Sequence, residues 1–128
     1  MNKVRRELAG GRYFVEAQYE TSADHVCGLK LAIVVHDRHS RRNVLKFDNA
    51  HKMKEGAWPP HRHLDPGRHY YWSSPMQSSG PGFLFREGMA VVLTEINSEP
   101  QLDEATRTEI AAALASIWLE VRGKEMWA

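Results

Sequence analysis

With 128 residues, 42% hydrophobic and 26% charged, the chain has the length and apolar content of one packed domain, 1–128, and too little chain for two. Its net charge of +1 is unevenly spread: eight basic residues stand against three acidic ones between Arg38 and Arg68, whereas eight acidic residues stand against three basic ones from Glu87 onward. No apolar run reaches the roughly 18 residues of a membrane span, residues 1–7 lack the apolar segment of a signal peptide, and one cysteine rules out a disulfide framework or a cysteine-based zinc knuckle. A cytoplasmic protein without membrane contact is the resulting expectation.

Taken in chain order, Arg12 to Glu20 mixes aromatic and β-branched residues in partial alternation after the Gly10-Gly11 break, which predicts a strand. Val26 to Asp37 predicts a second, because Leu29, Leu31, Ile33 and Val35 recur at period two; Cys27, in this apolar run, reads as a small core residue. Asn43 to Asn49 alternates again, and the polar Arg38 to Arg42 between the two runs reads as a hairpin connection. Pro59 and Pro60 forbid a helix and extend the backbone before His61. His61 to Leu64 is then short strand or extended loop, Arg68 to Trp72 a further strand, and Ser73 to Gly82 a surface loop in which Gly80-Pro81-Gly82 forms a turn. Phe83 to Phe85 and Met89 to Thr94 read as strands, the second also open to a helical reading. From Glu104 to Val121, Ile110, Leu114, Ile117 and Val121 follow helical spacing among alanines, with Gly123 as the stop. The fold class is α+β: a mainly antiparallel sheet with a long C-terminal helix packed on one face.

Chemistry concentrates in the basic, histidine-rich stretch from Asp48 to Asp65. Histidines two apart in an extended segment share one side, so His61 and His63 converge while Arg62 faces away. Such a pair offers two nitrogen ligands for zinc, with Asp48 or His51 as a third. The metal-free alternative, which needs no cofactor, is cleavage of RNA. One imidazole removes the 2′-hydroxyl proton, a second protonates the leaving oxygen, Arg62 or Lys46 stabilises the phosphoryl charge, and Asp48 orients a ring. His51, His61, His63, Arg62 and Asp48 are the candidate catalytic residues. Asn49, Lys46, Arg41, Arg42 and Trp58 are the candidate substrate contacts, with Trp58 and the Tyr70-Tyr71-Trp72 run stacking on bases or packing in the core. His36 and His39 read as surface residues flanking the hairpin, and His25 and His69 draw still less attention. No serine sits in a nucleophile elbow, and no dinucleotide or P-loop glycine pattern occurs.

The run Lys46-Phe47-Asp48-Asn49-Ala50-His51 followed by Trp58-Pro59-Pro60-His61-Arg62-His63 resembles the motif of TumE-type proteins, small toxins of toxin-antitoxin pairs. The likeness covers roughly Val26 to Leu64; Pro60 stands where many relatives have a histidine. It implies a toxin acting on RNA, partnered by an antitoxin with a DNA-binding helix-turn-helix domain, and carries over Asp48, Asn49, His51, His61, Arg62 and His63 as site residues. The rival is a non-enzymatic module that uses the basic centre to hold nucleic acid or protein, with the acidic tail available to mask that centre internally.

Overall fold

Period-two alternation translates into one antiparallel sheet. The computed structural model describes residues 1–48, 61–64, 68–71 and 79–128. Among these, strands β1 (Asn2–Glu7), β2 (Tyr13–Thr21), β3 (Leu29–Asp37), β4 (Arg42–Asp48), β5 (His61–Leu64) and β6 (Arg68–Tyr71) lie side by side in sequence order. Every neighbour pair is antiparallel. Helices α1 (Pro81–Ile96) and α2 (Glu104–Glu125) follow, so the α+β expectation holds, with the C-terminal helix on the sheet.

Both helices cover the same face, α1 over β3 and β4 and α2 over β1 and β2. Val15, Ala17 and Tyr19 of β2, Leu29, Leu31, Ile33 and Val35 of β3, and Leu45 and Phe47 of β4 are buried beneath them. Ile110, Leu114, Ile117 and Val121 of α2 are the buried stripe that the spacing predicts. One hydrophobic cluster thus runs from Val4 to Val121. No helix among the described residues is long and apolar enough to cross a membrane.

Several local readings change. Residues 83–85 are helix, not strand, the helical alternative for Met89 to Thr94 is the one that forms, and Pro81 occupies the first turn of this helix instead of a loop turn, where a fixed φ and a missing N–H cost a helix nothing. Its buried positions are Gly82, Leu84, Phe85, Gly88, Val92 and Ile96. The last three keep a four-residue spacing, but Gly88 contributes no apolar side chain, so the helical period is broken in the sequence while the aromatic and β-branched neighbours suggest strand. The absent side chain has a geometric reason. A Cβ at Gly88 would lie 2.8 Å from Cε1 and 2.9 Å from Cδ1 of Phe47, and 3.2 Å from Cδ1 of Ile33. The ring of Phe47 occupies that space and lets α1 approach the sheet closely.

The helix α2 starts where Asp103 accepts a hydrogen bond from the Thr106 amide at 2.8 Å. It runs through Gly123 and ends at Met126, whose φ of 57° is left-handed. Beyond it Trp127 folds back against Tyr19, Phe85 and Trp118, with ring centroids 5.9, 6.0 and 6.4 Å away, which secures the last turn past the expected stop. The strand expected from Val26 begins only at Leu29, because Cys27 and Gly28 take positive φ in a tight turn. Cys27 is buried as expected, and burial pushes its thiol pKa up. β1 lacks a clear apolar alternation; it is a charged edge strand held by pairing with β2 and by Arg6, which reaches Glu120 of α2 at 2.7 Å.

The β3–β4 turn is fastened by a fork. Arg12 donates from Nε and Nη2 to the two carboxylate oxygens of Asp37 at 3.0 and 3.1 Å, and the His39 amide donates to Asp37 at 2.9 Å. Arg12 holds the Asp37 carboxyl well below the usual carboxylate range; burial opposes it, and His39 and Ser40 add to it. A carboxyl depressed in the folded state stabilises the fold above its unfolded pKa of about 3.9 and loses that contribution as the pH falls towards the folded value. Asp37→Asn is therefore expected to lower Tm at pH 7, with the gap to the unsubstituted protein narrowing below about pH 4; a gap constant down to pH 2 in thermal melts would contradict this. Gly88→Ala is expected to cost about 1–3 kcal/mol in denaturant unfolding, since overpacking against Phe47 outweighs the better helix propensity of alanine. Unchanged stability would mean that α1 sits farther from the sheet.

Candidate functional site

Because opposed residues of an antiparallel pair share a face, covering one face of the sheet fixes which residues remain on the other. Val15, Val35, Ala17, Ile33, Leu45 and Phe47 belong to the helix face. Gln18 pairs with Ala32, Ala32 with Asp48, Asp48 with His61, and His61 with Tyr71. These positions form one lateral row on the face opposite the helices. One pleat along, Val34 pairs with Lys46, and His63 with His69. The register therefore brings Lys46, Asp48, His61, His63, His69 and Tyr71 to one patch of one face.

The described side chains in this patch form an ion pair. Asp48 is 1% exposed, and its Oδ2 lies 3.3 Å from Nζ of Lys46, which is about one-third exposed. A carboxylate so far removed from water is costly unless matched by a cation, so Lys46 both neutralises Asp48 and presents the accessible end of the pair. The small side chains of Ala32 and Val34 on β3 floor the neighbouring surface. Nearby, His25 is buried with its Nδ1 3.0 Å from Oγ of Ser22. Burial lowers its pKa most, Lys30 adds to that, and Asp24, Glu20 and Asp48 oppose it.

Of the expected site residues, Lys46, Asp48, His61 and His63 occupy positions on one face of the sheet by backbone register. Arg62 does not: it pairs with Phe47 and so falls on the helix side, as strand alternation requires. Lys46 is the basic residue of the expected set whose position shares the face of the His61 and His63 positions. Arg41 and Arg42 are exposed, but at the opposite end of β4 from Asp48, about 20 Å away along the strand. Asn49, His51, Trp58, Trp72 and the Pro59-Pro60 step lie outside the described residues, as does most of the expected loop from Ser73. His69 was passed over in the sequence, yet it stands directly opposite His63. The signal that could have found it is Asp65-Pro66-Gly67, a turn-forming tripeptide centred between the two histidines.

The rest of the exposed face is built differently. Phe14 is clamped by the guanidinium of Arg5, 3.8 Å from its centroid, and that of Arg38, 5.0 Å away, with the His36 ring at 4.9 Å. His36 shares a 2.9 Å hydrogen bond with Asn43, so it is a packed surface residue, as the sequence suggests. Arg5 also holds the buried Glu16 at 3.0 Å, and Arg38 pairs with Glu7. Among the described side chains no three histidine, cysteine or acidic residues gather around a metal position. The acidic helices lie across the sheet from the candidate patch, so the acidic tail does not mask it. Comparison of the chain with protein-family models, with curated proteins and with solved structures gives no match.

Proposed function

We propose that the chain is a toxin of the TumE type that cleaves RNA by histidine acid–base chemistry in the cytoplasm and is held inactive by a helix-turn-helix antitoxin. The observation that supports this reading is the strand register, which sets the positions of Lys46, Asp48, His61 and His63 on the sheet face opposite the helices. It is supported by the likeness of Lys46 to His51 and Trp58 to His63 to the toxin motif.

The chemistry asks for two groups that exchange protons near neutral pH and one cation beside the phosphate. In this reading one of His61 and His63 is neutral and accepts the 2′-hydroxyl proton, while the other is protonated and donates to the departing 5′-oxygen. Lys46 compensates the charge that grows on the phosphoryl oxygens, its ammonium held in place by Asp48. The requirement for one protonated and one neutral ring gives a bell-shaped pH dependence. Tyr71, whose backbone position is in the same row as His61, is the aromatic residue this reading assigns to stacking on a base, and Arg41 and Arg42 at the far end of β4 are assigned to more distant phosphates. The antitoxin is expected to cover the same face.

The test is incubation of the purified chain with RNA, alongside a His61→Ala/His63→Ala variant whose circular dichroism matches the parent. Cleavage by the parent should fall about 100-fold or more in the variant. RNA binding without turnover would move the chain to the rival class of non-enzymatic binding module. Full cleavage by the folded variant would remove these histidines from the mechanism.

A further inference from the structure

We propose that the outer face of α2 is the contact through which two copies of the chain pair back to back, with their α2 helices antiparallel. A helix lying on a sheet needs one apolar side, and α2 uses Ile110, Leu114, Ile117 and Val121 for it. Its far side is apolar too. Ala112, Ala115, Leu119, Gly123 and Met126 recur there at three- and four-residue spacing, and all five are exposed. Leu119 is 64% and Met126 89% exposed, more than any other large apolar side chain among the described residues. The charges on the flank towards β1 are already engaged, Glu120 with Arg6 and Glu109 with the Ala9 amide. The Thr108 hydroxyl, one turn before Ala112, donates to the Glu104 carbonyl at 3.0 Å, so it too offers little polarity to water.

Three features of this face fit a second copy of itself. Alanines at its centre let two helix backbones approach to the short end of the usual 8–10 Å or so between packed helices. Glu104 and Arg122 mark its two ends, and neither is in an ion pair with another described residue. They stand about five turns apart, hence in line on one side of the helix. A two-fold axis near Ala115 sets each Glu104 beside Arg122 of the other copy, twice by symmetry, whereas parallel pairing opposes like charges. The third feature is a hollow of about 460 Å³ between α1 and the start of α2, lined in part by Leu93, Ile96 and Ala111. The same axis brings the projecting Met126 of the other copy to that end. With 22 residues α2 is about 33 Å long, and with α1 beside it the layer is about 20 Å wide, the scale of the roughly 600–1,000 Å² per partner in a standard interface. Pairing in this way turns the Lys46–Asp48 side of the sheet outward on both copies, so it is independent of the ribonuclease reading.

The test is sedimentation equilibrium of the full chain and of variants whose circular dichroism matches it. The unsubstituted chain should show a concentration-dependent monomer–dimer equilibrium. Ala115→Glu, Glu104→Arg and Arg122→Glu should each weaken it at least about tenfold, with Lys3→Ala, across the sheet, unchanged. The double variant Glu104→Arg/Arg122→Glu inverts the pair and should restore association, as should an equimolar mixture of the two single variants. A chain that stays monomeric at about 1 mM, a dimer indifferent to Ala115→Glu, or a folded double variant that fails to associate overturns the pairing. Capture of a different protein on this face by a chain that does not self-associate overturns it equally.

Discussion

The helices α1 and α2 bury Val15, Ala17 and Tyr19 of β2, Leu29, Leu31, Ile33 and Val35 of β3, and Leu45 and Phe47 of β4, and in doing so dictate where the polar residues between them go. A one-residue slip between neighbouring strands would exchange the two faces, placing charged groups against the helices and leucine, isoleucine and phenylalanine in water. Each buried aliphatic side chain favours the native pairing by roughly 1.5–3 kcal/mol, so the register of the central strands is fixed by their sum. The contact of Phe47 with the bare backbone of Gly88 locks β4 in particular, and β4 is the strand that carries Lys46 and Asp48.

That constraint reorganises the charge pattern of the chain. Read linearly, the middle is a basic block. Among the described residues two of its cations are matched, Arg38 with Glu7 and Lys46 with the buried Asp48, while Arg12, just outside the block, holds Asp37. Most of these ties close turns or clamp Phe14, and are structural. Asp48 is as deeply buried as Asp37, and the Lys46–Asp48 pair differs in that the register partner of its acid is a histidine position. Electrostatics here act through a few placed groups more than through a diffuse positive field.

Much of the fold was legible because burial and period coincide. Leu29, Leu31, Ile33 and Val35 announce a strand, and Ile110, Leu114, Ile117 and Val121 a helix, since each faces the same apolar layer. The sequence misleads where tertiary packing replaces local preference: Gly88 interrupts the α1 stripe because a ring from another strand fills its place, and β1 forms on pairing rather than on its own apolar content. The candidate site was half visible. Alternation within one strand assigns the His61 and His63 positions to one face and Arg62 to the other, but the pairing of His63 with His69 and of Asp48 with His61 depends on register between strands, which no single-strand period encodes.

The proposed function needs the β4–β5–β6 register. Cross-strand nuclear Overhauser contacts between backbone protons measure it directly in the full chain. The account predicts contacts that pair Asp48 with His61 and His63 with His69. A pattern shifted by one residue, pairing Asp48 with Arg62 or His63 with Arg68, would send the histidines to different faces or under the helices and contradict it.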